Sequence, residues 1–174
     1  AGDVSGRRSS LTSLREMDLV TPTEIELRES VRDFDSSLNA AVWAYMERTG
    51  ARAVATTLAD NGLIMFSRLA DAEGEGWRSR VAGEHVPSLG TSPLDPLGCG
   101  DALLSVSSLA LSCGATLVQS AYLGSIAAAV EASRLGNIAV SAQDLLTHLR
   151  SLSEWNIAVR TRSDDLTRTN ATVR

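Results

Sequence analysis

The sequence predicts an α/β layer fold, on three observations. Short apolar or β-branched runs alternate with stretches of helical period along most of the chain. Serine and threonine stand where helices should begin, and glycine stands where they should end. One glycine-rich turn, Gly98-Cys99-Gly100-Asp101, leads straight into an apolar run long enough for a helix.

The elements follow in order. Residues 1–14 are rich in Gly, Ser and Arg and read as a flexible N-terminal segment. Leu19-Val20 is a short strand closed by Thr21-Pro22-Thr23. Thr23 caps a helix over 24–32, with Glu26 three residues later as in a capping box. Ser36 or Ser37 caps the next helix, whose Leu38, Val42, Tyr45 and Met46 share one face, and Gly50 ends it. Residues 52–58 read as a strand, Asp60-Asn61-Gly62 as a turn, and 63–68 as the hairpin partner. After a polar turn at 71–76, residues 77–86 supply an edge strand. A loop over 87–97 delivers the chain to Gly98. Helices follow over 101–113, 117–134 and 142–151, the last capped by Ser141. Residues 153–174 read as a weakly structured tail, with a strand over 156–162 and disorder beyond. The globular domain therefore runs over 15–152.

Composition narrows the function classes. The 174 residues suit one domain, and a hydrophobic fraction of 44% is ordinary for a soluble fold. No apolar stretch reaches about 18 residues, so no membrane span is expected. The basic pair Arg7-Arg8 lacks a following apolar run, so the sequence shows no signal peptide. Two cysteines are too few for a disulfide framework, which makes the cytoplasm the default location. A net charge of −5 argues against generic nucleic-acid binding. The chain has no lysine, which excludes a lysine phosphate clamp within it. His85 and His148 sit far apart in dissimilar contexts and read as surface or structural residues rather than metal ligands.

The Gly98–Asp101 turn carries the chemistry. Its glycines would present successive N–H groups at a helix N-terminus, where the helix dipole is positive, and this makes an anion site. Asp101 would cap the helix or take a proton from an attacking hydroxyl. An anion cradle beside a base is what phosphoryl transfer needs. Cys99 at that terminus would have a lowered thiol pKa if its sulfur were exposed, but no His or basic partner lies nearby in sequence and it is not read as a nucleophile.

Asp95-Pro96-Leu97-Gly98-Cys99-Gly100-Asp101 resembles the Asp-Thr-x-Gly-Ala-Gly-Asp signature of ribokinase-like (PfkB) carbohydrate kinases, with Pro96 for Thr and Cys99 for Ala. Three further segments match that family in order. Pro22-Thr23-Glu24-Ile25-Glu26 resembles its Pro-Asn-x-x-Glu, with Thr23 for Asn. The run 53–62 resembles Val-x-Thr-x-Gly-x-x-Gly, with Ala59 for the first Gly. The run 124–141 resembles the Ala-rich helix and loop that wrap the nucleotide base. Its Leu-Gly-x-x-x-Val-Ser ending is most similar to the heptose-phosphate kinase domain of bifunctional ADP-heptose synthases.

The resemblance implies the C-terminal portion of a three-layer α/β/α ribokinase-like fold, with ATP and Mg²⁺ as cofactors. It implies Asp101 as catalytic base and the N–H groups of Gly98, Cys99, Gly100 and Asp101 as an anion hole. It places Thr57, Gly62, Ala128, Gly136 and Asn137 around the nucleotide and Glu26 near the metal. The acceptor would be a sugar or sugar-phosphate, held by an N-terminal half that this chain lacks, and a homodimer is compatible with it. The chain alone would then be inactive. The alternative is a non-catalytic nucleotide-binding or interaction domain, which the departures at Ala59 and Pro96 would suit.

Overall fold

Residues along the strands alternate between two buried faces, and the architecture follows from that alternation. The computed structural model describes residues 1–3, 10–69, 80–90 and 93–152. Strands β1 (Ala53–Thr57), β2 (Leu63–Arg68) and β3 (Val81–Val86) form an antiparallel meander in the order β1-β2-β3. Val54 pairs with Phe66, and Leu63 pairs with Val86.

Two more extended segments lie beside β1, both parallel to it. Val20 bridges Val54, and Gly2 bridges Val20. The ladder is continuous: the Ala55 N–H donates to the Val20 carbonyl at 2.8 Å, and the Gly2 N–H donates to the Leu19 carbonyl at 2.9 Å. The first three residues thus join the sheet rather than fraying. Residues 10–14 also depart from the flexible reading. Leu11–Ser13 form a turn of 3-10 helix, and Leu11 is buried under Tyr45, whose hydroxyl donates to the Leu11 carbonyl at 3.0 Å.

One sheet face carries Val20, Val54, Phe66 and Val81. These pack with Leu27 and Val31 of α1 (Glu24–Val31) and with Ala41, Val42, Tyr45 and Met46 of α2 (Leu38–Thr49). The other face carries Leu19, Ala53, Ala55, Leu63, Met65 and Val86. These pack with Leu103 of α3 (Cys99–Ser112) and Ala121 of α4 (Leu117–Ala132). The result is three layers with a hydrophobic core on each side of the sheet, as the α/β reading requires. Strands buried on both faces read as near-continuous apolar runs, and β1 does so.

Local chemistry sets the helix ends. Thr23 and Glu26 form the expected capping box on α1. Ser37, of the two serines considered, caps α2, and Gly50 at φ 76° ends it. Helix α4 opens on a second capping box, Thr116 with Gln119, which lay unread in the sequence. Helix α3 starts at Cys99, two residues before the expected start, because Gly98 takes the left-handed conformation and serves as its N-cap.

The chain divides into two compact units, Ala1–Ala139 and one beginning at Val140. In the second, helix α5 covers 142–152. The Ser141 hydroxyl accepts from the Asp144 N–H at 3.2 Å, and the Asp144 carboxylate accepts from the Ser141 N–H at 2.9 Å. The polar turn at 71–76, the start of the edge strand at 77, and the strand and tail expected within 153–174 lie outside the described residues.

Candidate functional site

Helix α3 is the one member of α1–α4 without a side-chain cap. Thr23, Ser37 and Thr116 each place a hydroxyl over the first turn of their helices, whereas Gly98 has no side chain to offer. Its φ of 86° and ψ of −10° turn the backbone into the helix. Gly100 and Asp101 follow on the exposed first turn. The positive end of α3 is therefore open toward solvent at Gly100 and Asp101, where an anion can use its N–H groups, while the Cys99 N–H donates to the Pro96 carbonyl at 3.4 Å. Asp101 is the acidic residue of that first turn.

The turn sits at one end of the sheet. The segments at Gly2, Val20 and β1 run parallel, and Thr23 bridges Thr57 at their C-terminal end. In open α/β sheets, ligands bind beyond the carboxyl ends of the strands. Gly100 belongs to this end, since its open side faces the Asp3 carboxylate, 3.8 Å from where a Cβ would lie. Asp3 directly follows the strand residue Gly2, and nothing in its sequence context marked it.

Gly98 is enclosed from the other side by the loop after α4. A Cβ on Gly98 would lie 2.9 Å from Asn137 Oδ1 and 3.0 Å from Glu131 Oε1. The structure thus places Asn137 and Glu131 beside Gly98. Gly136 is tied to the same turn, its N–H donating to Asp95 Oδ2 at 3.1 Å. Asp95 also accepts from the Leu97 N–H at 3.0 Å. These two N–H groups, Leu97 first, hold the Asp95 carboxyl below the usual carboxylate range. The backbone adds a further tie, with the Leu94 N–H donating to the Ala132 carbonyl at 2.6 Å. The turn before α3 and the loop after α4 are one sewn unit.

Cys99 is half-buried, so the exposure on which a lowered thiol pKa depended is not met. Burial, then the negative charges of Glu131 and Asp95, push its thiol pKa up rather than down. The helix terminus does not prevail, because the sulfur is tucked toward the Asp95 carbonyl, at 3.9 Å. A nucleophilic role is thereby disfavoured.

The remaining expected residues fall in two groups. Gly62 (φ 83°) closes the β1–β2 hairpin, and a Cβ there would overlap the Val86 carbonyl. Ala59, in place of the family's glycine, is held at φ 50°. Alanine there costs on the order of 1 kcal/mol. The segment after β3 leads from Gly62 to α4: Ser125 donates to the Pro87 carbonyl at 3.5 Å, and Gly90 lies against Ala129. Ala128 packs against the second core, half-buried. Glu26 stands at the end of the Thr23–Thr57 bridge. Its Oε2 accepts from the Thr23 N–H and from the Thr23 hydroxyl, each at 2.8 Å. Thr57 is fixed beside it, donating its N–H to the Pro22 carbonyl at 2.9 Å.

The site is thus a glycine-opened helix N-terminus at the strand ends, tied to the loop after the next helix. Residues 3–144 match the model of the pfkB family carbohydrate kinases. The chain belongs to that family. Among curated proteins it is similar to the Bifunctional protein HldE of Geobacter metallireducens, 28% identical over 144 residues, which cover 82% of this chain and 28% of that protein. It is similar to the HldE of Paramagnetospirillum magneticum at 28% over 134 residues, covering 75% of this chain and 25% of that one. Among solved structures it resembles Arabidopsis thaliana ribokinase complexed with ribose and ATP, with a TM-score of 0.69 at 19% identity. That match covers 84% of this chain and 46% of the ribokinase. Thermotoga maritima ribokinase gives a TM-score of 0.64 at 22% identity, over 76% of this chain and 42% of that one. The fold is therefore ribokinase-like. The chain spans about a quarter of the curated relatives it matches and under half of these ribokinases. Among the described residues, no helix is long and apolar enough to cross a membrane.

Proposed function

We propose that this chain is the nucleotide-binding half of a carbohydrate kinase, transferring the γ-phosphoryl group of ATP to a hydroxyl of a sugar or sugar-phosphate. The observation that carries the reading is the uncapped N-terminus of α3, with Gly98 at φ 86° and Asp101 on its first turn. The N–H groups of Gly98, Cys99, Gly100 and Asp101 stabilise charge on the transferred phosphoryl group. Asp101 accepts the proton of the attacking hydroxyl. Thr57, Gly62, Ala128, Gly136 and Asn137 surround the nucleotide.

The donor set suits a magnesium ion held chiefly by phosphate oxygens. Glu26 is oriented by its bonds to Thr23, and among the described residues no three His, Cys, Asp or Glu side chains converge. Glu26 would hold that ion through water, and the bound ion would neutralise charge on the phosphates. Ribokinase from Arabidopsis thaliana, with the same fold, was solved with ribose and ATP, which supports nucleotide use here. A cytoplasmic location accords with the reading.

The acceptor site belongs to a separate sugar-binding half, whose positioning can supply about 7–11 kcal/mol of barrier lowering. The 174-residue chain alone should show no sugar-dependent ATP turnover. Joined to a sugar-binding N-terminal half, it should turn over. Asp101→Asn should then reduce turnover by about 10²–10⁴-fold while leaving nucleotide affinity nearly intact. Coupled-enzyme kinetics with calorimetry makes the comparison. Near-normal turnover by Asp101→Asn would remove Asp101 from the mechanism. A second reading, a nucleotide-binding domain without catalysis, draws on Ala59 at φ 50° and would appear as binding without turnover in the joined protein.

A further inference from the structure

We propose that Glu131 is a positioning residue that locks the base-side loop to the phosphate cradle; the proposal rests on the nucleotide reading above. Glu131 lies on the last turn of α4 and is 2% exposed. A buried carboxylate is costly unless it is hydrogen-bonded, so its retention there asks for a reason. One oxygen, Oε1, meets both parts of the site. It accepts from the Ile138 N–H at 3.0 Å, and it lies 3.0 Å from where a Gly98 Cβ would stand. Asn137 Oδ1 reaches that same point at 2.9 Å. Glu131 therefore stands against the open side of residue 98, which opens the cradle, and bonds residue 138, which closes the base-side loop. Its charge is also felt at Cys99, where it raises the thiol pKa.

The neighbouring staple is of a different kind. Asp95 grips Gly136 from the half-buried rim of the turn. Glu131 grips Ile138 from the interior and sits behind Gly98. Without Glu131, Gly98 stays the N-cap of α3 and the phosphate groups keep their N–H donors. The loop carrying Gly136 and Asn137 loses its buried tie. Its charge acts on any anion in the cradle, but its hold on the loop should matter only for a ligand that spans both parts, so the ratio of the two affinities isolates the positioning role.

Magnesium ATP spans both parts, and magnesium tripolyphosphate fills only the cradle. Titration calorimetry of the 174-residue chain with each ligand measures how much the base side adds. Glu131→Met keeps the volume and removes the acceptor. Replacing a buried charged group by a packed apolar one is often neutral or stabilising, so folding is retained. We expect this variant to lower the affinity for ATP relative to tripolyphosphate by about tenfold or more. Glu131→Gln keeps an oxygen for the Ile138 N–H and should restore most of the ATP preference. The proposal is overturned if Glu131→Met keeps the wild-type ratio of the two affinities, or lowers both equally, or if Glu131→Gln does no better than Met. A wild-type chain that binds both ligands while the Met variant keeps the ratio overturns the Glu131 role alone. A wild-type chain that binds neither overturns the nucleotide reading and this proposal with it.

Discussion

Gly98 tolerates no side chain, for two independent reasons. Its φ of 86° disfavours an L side chain, and a Cβ would press on Asn137 and Glu131. The glycine spacing made this residue and Asp101 visible in the sequence, because a turn into a helix needs only local residues. Asp95 was visible in the signature segment but not as a tie to Gly136, and Glu131 and Asp3 were not visible as parts of the cradle. Asp95 reaches an N–H 41 positions away, and Glu131 reaches back to Gly98 only once α4 has packed. Cys99 was read from the sequence as no nucleophile, and the structure supplies a further reason. Its place at a helix terminus was legible, but the carboxylates that offset the dipole were not. The consequence is measurable. Cys99 should react with iodoacetamide near pH 8 more slowly than the exposed Cys113, because burial and two negative charges disfavour its thiolate. Peptide mapping by mass spectrometry over a time course reads both rates. Faster modification of Cys99 would mean that the cradle's positive end outweighs them.

At the scale of elements, α3 and α4 set the precision of the site, since one begins at the cradle and the other ends at its enclosing loop. They meet at Gly124, where a Cβ would overlap the Ser107 hydroxyl and lie 2.9 Å from the Leu103 carbonyl. The Ser107 hydroxyl donates to the Ser120 carbonyl at 3.0 Å across the same contact. Gly124→Ala should therefore destabilise the chain by about 1–3 kcal/mol, although alanine is the better helix former. Urea unfolding measures this, and a stabilised variant would show that the helices can part at no cost. The capping box at Thr23 was readable in advance because its partners lie three residues apart. The Gly124 contact was not, because it depends on two helices crossing. The same distinction explains the N-terminus. Residues 1–14 look like a loop in isolation, yet Gly2 pairs with Val20 and Leu11 fills a gap under Tyr45.

For the molecule as a whole, the layer order was legible because the sheet is buried on both faces and its helices carry local start and stop signals. Pairing was less legible. β1 and β2 could be placed as a hairpin from the turn at Gly62, but the pairing of β3 and the parallel additions at Val20 and Gly2 depend on contacts between more distant segments. Those additions matter most for function. They align the ends of three parallel segments and bring Asp3 to the Gly100 turn. The central claim is that the open N-terminus of α3 binds the phosphates of a nucleotide. It is tested most directly by titration calorimetry of magnesium ATP into the 174-residue chain and into Gly98→Val. The wild type should bind measurably at up to millimolar nucleotide. Gly98→Val should lose that binding, with helix content by circular dichroism retained. No heat from the wild type, or equal affinity in the two proteins, would contradict that claim.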